Sequence, residues 1–311
     1  MAAAKPRVGY LGPAGSFTEA AAARVCALDD LGDAELVPLP TVPLALDAVR
    51  DGELELAVVP LESSVEGSVP LTMDELAFGE PLHIVREVVL PIRFALLAPP
   101  GATAAGLRTV GAHPHGLAQC RGFVRDQLPG VEVVAATSNS DAARRVAAGD
   151  LDAAFASPAT AATYGLAVLV DDVGDNKDAA TRFVAMRRPG PTPAPTGNDA
   201  TSLVVFEKED RPGALLEILT EFAVRGVNLT RLESRPTGAG LGRYCFFLDC
   251  AGHVAELRVG EALMGLYRLC ADVRFLGSYP RAAGGQLVPR SGTTDADFRD
   301  ASGWLARLRT E

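Results

Sequence analysis

Short apolar runs alternate with amphipathic stretches over the first 188 residues of the chain. The runs are short enough to be strands, and they predict strands at 8–11, 56–60, 93–98, 109–111, 131–135, 153–156 and 183–186. Helices are expected between the strands. Ser16 and Glu19 have the spacing of a capping box, and Asn139 opens a stretch that should end near Gly149. This alternation is typical of α/β units around mostly parallel sheets.

Four prolines between residues 189 and 198 interrupt the pattern. Prolines remove backbone donors and favour an extended chain, so neither a helix nor a sheet is expected to continue through them. We therefore predict a first domain at 1–190, a linker at 191–200, a second domain at 201–280 and a tail at 281–311.

The second domain has a pattern of its own. It predicts strands at 202–206, 228–234, 244–250 and 273–279, and helices at 212–225 and 253–270. The resulting order βαββαβ is that of the ferredoxin-like motif. The tail contains one further amphipathic helix at 295–309, which we expect to pack on its own protein through Phe298, Trp304, Leu305 and Leu308.

Composition narrows the class of protein. With 311 residues and 48% hydrophobic content, the chain can fill the cores of two domains. Its net charge of −10 argues against a nucleic-acid surface, because phosphate binding depends on clustered Lys and Arg. A small anionic substrate remains compatible with this charge, since one local cationic pocket need not show in the total.

The cysteines and the N-terminus indicate a cytoplasmic protein. The five cysteines are scattered and contain no C-x-x-C pair, so buried free thiols are expected rather than disulfides or a zinc site. No His pair has metal-ligand spacing on a helix. No apolar run approaches the ~20 residues of a membrane span. The N-terminus lacks the hydrophobic region of a signal peptide and runs directly into a strand.

The tripeptide Thr181-Arg182-Phe183 joins a hydroxyl, a permanent cation and an aromatic ring just before the linker. Taken alone, it is also compatible with an ordinary strand in which Phe183 is buried and Arg182 pairs with the acidic residues at 171–175. Other motifs therefore have to decide its role.

Those motifs occur in the order found in prephenate dehydratases. They are Gly12-Pro13-Ala14-Gly15-Ser16-Phe17-Thr18-Glu19, Pro60-Leu61-Glu62-Ser63-Ser64, His113-Pro114 with Gln119-Cys120, and Glu233-Ser234-Arg235-Pro236. From about residue 7 to residue 280 the chain resembles a prephenate dehydratase with a C-terminal ACT regulatory domain. The resemblance implies an α/β catalytic domain of two lobes around a crevice, similar to type II periplasmic binding proteins, followed by a ferredoxin-like ACT domain.

Members of this family convert prephenate to phenylpyruvate in phenylalanine biosynthesis, with loss of water and carbon dioxide. The resemblance implies that this chain is a hydro-lyase of this kind and needs no cofactor or metal. The site must supply a proton donor for the departing hydroxyl, anchors for an anionic substrate and a partly apolar wall.

The resemblance assigns catalytic roles to the tripeptide. Thr181 matches the family's catalytic Thr and is expected to donate to, or orient, the leaving hydroxyl. Arg182 is expected to bind a substrate carboxylate, because its planar guanidinium can hold an oxyanion with two hydrogen bonds. Phe183 is expected to border the substrate.

The Glu62-Ser63-Ser64 motif is expected at a strand end that opens onto the crevice. Glu62 and Ser63 are predicted catalytic residues and Ser64 a substrate contact. Glu62 is equally compatible with a structural carboxylate. Ser63 departs from the family, which generally has Asn there, so Ser63 or Ser64 has to replace an amide with a shorter reach.

Three further residues complete the predicted site. Gln119 falls at a polar position of the family's site, and Ser16 and His113 are expected to bind substrate. Ser16 is equally compatible with a helix N-cap, and a His before a Pro is often only a turn residue. Ala112 occupies a position that is often Ser in relatives, so one hydroxyl of the family is missing.

The ACT resemblance also predicts a phenylalanine site, formed by Gly213, Ala214, Leu215, Asn228, Glu233, Ser234 and Arg235. Small residues at a helix N-terminus expose amides that can receive a carboxylate. Because ACT domains of this kind bind phenylalanine between paired subunits, we expect a homo-oligomer, a dimer or a tetramer, that is inhibited by phenylalanine.

Two alternatives to this function stay open. An arogenate dehydratase differs only in having an amino group in place of the keto group of the substrate side chain. A non-catalytic small-molecule sensor could also combine a two-lobed binding fold with an ACT domain. The start of the sequence contains no helical segment before the first strand, so no fused chorismate mutase is expected.

Overall fold

In the computed structural model, which describes residues 5–238, 240, 243–282 and 284–310, the contacts of the chain divide it into two units. One unit consists of residues 1–73 and 88–185, and the other of residues 74–87 and 186–311. The segment 74–87 lies within the predicted first domain in sequence but belongs to the second unit by its contacts. The predicted domain limits at 190, 200 and 280 stay a prediction.

Eleven strands precede the linker among the described residues. They are β1 (Arg7–Leu11), β2 (Glu35–Leu39), β3 (Leu56–Ser63), β4 (Gly67–Ser68), β5 (His83–Pro91), β6 (Ala95–Ala98), β7 (Thr109–Ala112), β8 (Glu132–Ala135), β9 (Ala153–Ala156), β10 (Ala167–Val170) and β11 (Ala180–Arg187). Seven helices accompany them, namely α1 (Phe17–Leu28), α2 (Val42–Arg50), α3 (Pro70–Phe78), α4 (Pro114–Gln119), α5 (Arg121–Gln127), α6 (Asn139–Ala147) and α7 (Thr160–Tyr164).

The strands form two separate sheets, and each sheet is the centre of one lobe. The first has the order β2-β1-β3-β11-β5, with β4 paired to β3, and the second has the order β10-β6-β9-β7-β8. In the first lobe β1 is parallel to both β2 and β3, so their carboxyl ends meet at one edge. In the second lobe β7 is parallel to β8 and β9. The predicted α/β class is confirmed.

Four strands were not predicted. β4 has only two residues and pairs with β3, and the other three lie at edges of their sheets. β2 contains Pro38, which cannot donate to a ladder and is tolerated at an edge. β5 contains the charged pair Arg86-Glu87 within its apolar run, and β10 is only four residues long. Edge strands bury less of their surface, so their apolar pattern is weaker than that of central strands.

The second unit contains a four-stranded antiparallel sheet with the order β13-β14-β12-β15. Its elements are β12 (Asp199–Phe206), α8 (Ala214–Ala223), β13 (Leu229–Pro236), β14 (Tyr244–Ala251), α9 (Leu257–Leu269) and β15 (Asp272–Pro280). One core joins the two helices to the sheet through Leu203, Phe222, Phe246, Leu248 and Leu266. The predicted ferredoxin-like order βαββαβ is confirmed.

The tail forms the helix α10 (Asp295–Leu308), which begins at a capping box made by Thr294 and Asp297. The Asp295 carboxylate accepts a hydrogen bond from the Leu257 amide (2.9 Å), so the start of the helix is attached to its own chain. The apolar stripe is less buried than the sequence predicts, because Trp304 and Leu308 are 56% and 51% exposed.

The five cysteines are buried free thiols, as predicted. Burial raises the pKa of Cys120 and of Cys250 to about 12, so these thiols stay protonated near neutral pH. Among the described residues, no helix combines the length and the hydrophobicity needed to cross a membrane.

Candidate active site

The end of β3 and the start of β11 bring two of the predicted motifs together. The Ser64 amide donates to the Ala180 carbonyl (2.9 Å), and the Ala180 amide donates to Ser64 Oγ (2.9 Å). Thr181 follows Ala180 directly, and Glu62 precedes Ser64 by two residues. The hydroxyl and carboxylate of the two motifs therefore belong to neighbouring strands of one sheet.

Arg182 pairs with Glu62 in this arrangement. Its Nη1 lies 3.9 Å from Glu62 Oε2, and the Arg182 side chain is 15% exposed while that of Glu62 is 39% exposed. The mostly buried guanidinium thus lies at the outer limit of ion-pair distance from a more exposed carboxylate.

Successive side chains of a strand point to opposite faces, so Thr181 and Phe183 share one face of β11 and Arg182 lies on the other. Phe183 is 2% exposed, whereas Thr181 and Arg182 are half-buried. Thr181 and Arg182 are thus partly accessible, and Phe183 belongs to the core.

Ser63 is engaged in a local turn. Its Oγ accepts hydrogen bonds from the amides of Val65 (3.2 Å) and Glu66 (3.3 Å). This turn leads from β3 into β4, where Ser63 faces Gly67. The Ser63 hydroxyl thus stabilises this turn, in addition to any contact with a substrate.

Ser16 has the geometry of a helix N-cap. Its Oγ accepts from the Glu19 amide (3.2 Å) and donates to the Leu11 carbonyl (3.3 Å). The Glu19 carboxylate accepts from the Gly15 amide (2.6 Å) and from the Tyr10 hydroxyl (3.1 Å). The N-cap predicted from the spacing is present, although the Glu19 carboxylate bonds the Gly15 amide and not the Ser16 amide of a full capping box.

His113 caps α4 at the end of β7. Its Nδ1 accepts from the His115 amide (3.3 Å), and its amide donates to the Asn139 side chain (2.9 Å). Burial lowers the pKa of His113, and His115 adds to this effect. A neutral imidazole engaged in a cap is a poor general acid, which favours the turn role over proton donation.

Gln119 ends α4 and connects the second lobe to the segment before β11. Its carbonyl accepts from the Asp175 amide (2.6 Å), and the Asp175 carboxylate in turn accepts from the Gly122 amide. The Gln119 side chain is half-buried. The chain that leads to Thr181 is thus anchored to the second lobe. Ala112, at the end of β7, is fully buried.

The predicted phenylalanine residues of the second unit lie in two places. Gly213, Ala214 and Leu215 line a cavity of about 460 Å³ that also contains Tyr244 and Phe246. Asn228 lies beyond the other end of α8, a 10-residue helix and therefore about 15 Å long. Gly213 and Asn228 therefore lie at opposite ends of α8.

The β13 residues of this set divide between the two faces of the sheet. Residues paired across antiparallel strands share a face. Ser234 pairs with Phe246, on the helix side, whereas Arg235 pairs with Cys245, on the opposite side. On that side the Arg235 guanidinium contacts the Asp74 carboxylate at 2.5 Å. The Arg235 charge is therefore neutralised within the chain.

Comparison with known proteins decides the family. The profile of the prephenate dehydratase family matches residues 8–191, and that of the ACT domain matches residues 202–264. The chain belongs to the prephenate dehydratase family. It is 49% identical over 304 residues to the prephenate dehydratase of Amycolatopsis methanolica, with 97% of this chain and 98% of that protein covered. It is 47% identical over 308 residues to that of Mycobacterium tuberculosis, with 97% and 94% covered.

One solved structure agrees with this assignment, and two others have a similar fold. The prephenate dehydratase of Arthrobacter aurescens, solved in complex with L-Phe, has a TM-score of 0.92 and 44% identity, and the match covers 98% of this chain and 100% of that chain. The quorum quenching acylase GqqA has a TM-score of 0.77 and 31% identity, with 88% and 97% covered. The Staphylococcus aureus prephenate dehydratase, at 22% identity and a TM-score of 0.73 with 88% and 99% covered, shares the fold.

Family membership confirms the predicted enzyme class and the ACT domain. The individual site residues stay predictions. Sequence reasoning missed the residues that hold the motifs in place, above all Asn139 against the backbone of His113 and Tyr10 against Glu19. The capping of α6 by Ser138, next to Asn139, is a local signal that pointed to this helix start.

Proposed function

We propose that this chain is the prephenate dehydratase of phenylalanine biosynthesis and that phenylalanine, bound at the ACT domain, inhibits it. The observation that carries the proposal is the ion pair of Arg182 with Glu62 next to Thr181 in the chain, at strand ends that the hydrogen bonds between Ser64 and Ala180 hold together. A hydroxyl, a guanidinium and a carboxylate at neighbouring strand ends suit the loss of water from an anionic substrate.

In the proposed reaction the Thr181 hydroxyl donates to the ring hydroxyl of prephenate as its C–O bond breaks. The departing oxygen takes up a proton that the Thr181 hydroxyl relays from water, so Thr181 ends the step protonated and the oxygen leaves as water. The bond between the ring and its carboxylate breaks at the same stage, its electron pair enters the ring, and carbon dioxide is released. The ring becomes aromatic, so no external oxidant or reductant is needed.

Arg182 holds a carboxylate of the substrate in this scheme. Its side chain is only 15% exposed, which strengthens the attraction to an anion relative to open water. Glu62 orients the guanidinium, and its negative charge favours release of the product anion. The buried Phe183, two residues along the same face of β11, gives the strand a fixed position, so the Thr181 hydroxyl is preorganised.

Regulation is proposed to depend on the cavity at Gly213, Ala214 and Leu215. Its glycine stands at the N-terminus of α8, where backbone amides can receive a carboxylate, and Tyr244 and Phe246 supply aromatic surface. A solved relative at 44% identity has L-Phe bound. Since Asn228 and Arg235 lie away from this cavity, a second copy of the chain would have to supply the rest of the site. The proposed enzyme is therefore a homo-oligomer with an isologous contact.

The test is turnover by the purified chain of prephenate and of arogenate, side by side, with and without phenylalanine. The proposal expects a larger kcat/KM with prephenate and a loss of activity on addition of phenylalanine. A preference for arogenate would make the chain an arogenate dehydratase. Binding of prephenate with no product from either substrate would instead indicate a sensor.

A further inference from the structure

The turn between β1 and α1 is held from two sides. On the side of the first lobe, the Gly15 amide donates to Glu19 Oε2 (2.6 Å), and Glu19 Oε1 accepts from the hydroxyl of Tyr10, which is 1% exposed. On the other side, two hydroxyls of α7 in the second lobe donate to the same turn. Thr160 Oγ1 donates to the Gly15 carbonyl (2.6 Å), and the Tyr164 hydroxyl donates to the Ala14 carbonyl (3.0 Å).

These contacts connect segments that are far apart in sequence, at separations of 145 and 150 residues. The Thr160 bond is fully buried, and Thr160 itself is 0% exposed. A buried hydroxyl that loses its acceptor is costly, so this bond has to be made whenever α7 and the turn are packed together.

The packing around Gly15 explains why the turn needs a glycine. Its φ is +77°, in the left-handed region. A Cβ atom built there would lie 3.2 Å from Thr160 Cγ2 and 3.3 Å from Thr163 Oγ1. The backbone of the turn therefore rests directly on α7. Beside it, the Phe17 ring at the start of α1 meets the Phe94 ring at a centroid distance of 5.8 Å, edge to face.

The Thr160 and Tyr164 hydroxyls also affect the amides of the turn, because each hydroxyl bonds the carbonyl of a peptide group that contains one of these amides. The Ala14 carbonyl and the Gly15 amide belong to one peptide group, so Tyr164, this peptide and Glu19 form a continuous chain of hydrogen bonds. In the same way, the Gly15 carbonyl shares its peptide group with the Ser16 amide. Hydrogen bonds in such chains polarise and strengthen one another.

We propose that Thr160 and Tyr164 are positioning residues of the dehydratase, which act through the 12–16 turn and fix the candidate substrate residue Ser16 and the start of α1 relative to the second lobe. The inference rests on the proposed function of the crevice. The first amides of a helix have no acceptor within the helix, so their direction is set by how the turn is held. Here the Thr160 and Tyr164 hydroxyls of the second lobe hold the turn and thereby set the direction of the first amides of α1.

The test compares Thr160→Val, which replaces the hydroxyl with a methyl group, and Tyr164→Phe, which removes the hydroxyl, with Thr160→Ser, which keeps the hydroxyl. Thr109→Val is the matched control, because the Thr109 hydroxyl bonds to Asp152 within the second lobe and does not contact the turn. Each full-length variant is assayed for kcat and KM with prephenate, for thermal unfolding, and for hydrogen exchange of the amides at 14–18.

Both hydroxyl-free variants should exchange these amides at least about tenfold faster and lose about tenfold or more in kcat/KM, since misplacement of about 1 Å can cost up to ~10²-fold. Thr160→Ser should restore kcat/KM to within about threefold. Thr109→Val should lower the unfolding temperature without either effect. The double variant should lose less than the two single losses multiplied together, because both hydroxyls hold one turn.

Unchanged exchange at 14–18 in Thr160→Val would overturn the proposal. So would an equal loss of kcat/KM in Thr109→Val at a matched loss of stability, since the effect would then be general destabilisation. If the wild-type chain turned over no prephenate, the proposed function would fail, but the exchange measurement would still decide whether α7 holds the turn.

Discussion

Ser64 and Ala180 are joined by two hydrogen bonds of 2.9 Å, one to each backbone polar group of Ala180. The two residues are 116 positions apart in sequence. Since Thr181 follows Ala180, Ser64 fixes the backbone from which the candidate catalytic hydroxyl projects. The Ser64 hydroxyl therefore has a structural role, whether or not it also contacts the substrate.

Replacing Ser64 with Ala should lower kcat more than it raises KM. The Ala180 amide loses its acceptor, at a stability cost of ~0.5–1.5 kcal/mol, and the position of Thr181 becomes less defined. Ser138→Ala, which removes a hydroxyl that caps α6, is a control of similar chemistry. Steady-state kinetics and thermal unfolding separate the two. An equal effect of both variants on kcat would contradict the role of Ser64.

Ser63 should tolerate Asn better than Ala. Its hydroxyl accepts from the amides of Val65 and Glu66, and an Asn side chain can accept from the same turn, whereas Ala cannot. Ser63→Ala should therefore lose stability by ~1 kcal/mol, and Ser63→Asn should stay close to wild type. Chemical denaturation measures both. The reverse order of stability would mean that the turn does not depend on this acceptor.

His113 should make the protein less stable as the pH falls. Burial beside His115 lowers its pKa in the folded state, so below about pH 6.5 the unfolded chain binds more protons at this position than the folded chain does. The contribution of His113 to the free energy of unfolding is therefore fully present above about pH 6.5 and decreases below it. His113→Gln should flatten the curve of unfolding free energy between pH 7 and about pH 5, relative to wild type.

The same variant tests whether His113 donates a proton in catalysis. Because its neutral form caps α4, His113→Gln should keep kcat within about threefold of wild type at pH 7.5. A fall of about 10²-fold would instead make His113 the general acid. If the unfolding free energy of His113→Gln varied with pH in parallel with that of wild type, the predicted effect of His113 protonation on stability would be contradicted.

Gly213→Leu should abolish inhibition by phenylalanine while leaving uninhibited turnover largely intact. The residue adopts φ +90°, and no atom lies within 4 Å of a Cβ built there, so the substitution strains the backbone and fills the cavity entrance. Gly130→Leu is a matched control, with φ +88° and equally open surroundings in the first unit. Calorimetry should detect phenylalanine binding in wild type and in Gly130→Leu. Inhibition of Gly213→Leu as strong as that of wild type would place the regulatory site elsewhere.

The sequence predicted the central strands well because their apolar runs are fully buried. The observed bounds of β9 equal the predicted ones, and all four of its residues are fully buried. Local caps such as Ser16 with Glu19 were also predictable, since their partners are three residues apart. The edge strands β2 and β5 were missed because Pro38 and the Arg86-Glu87 pair interrupt their patterns, and β4 and β10 were missed as well.

The contacts that bring the site residues together could not be predicted from the sequence. Ser64 with Ala180, Arg182 with Glu62 and Thr160 with Gly15 all connect distant segments, and their pairing depends on the order of strands in the sheets. The pairing of Arg235 with Asp74 shows the same limit. A motif match predicts Arg235 as a ligand contact, and its position on β13 places it on the face opposite the helices, where it contacts Asp74.

The most direct test of the account is the rate of phenylpyruvate formation from prephenate by wild type, Thr181→Ser and Thr181→Ala. Thr137→Ala, which removes an exposed hydroxyl that bonds to Asp141, serves as the control. The account predicts that Thr181→Ala stays folded and loses about 10²-fold or more in kcat with a smaller change in KM, while Thr181→Ser retains most of the activity. A folded Thr181→Ala protein with a kcat like that of Thr137→Ala would contradict it.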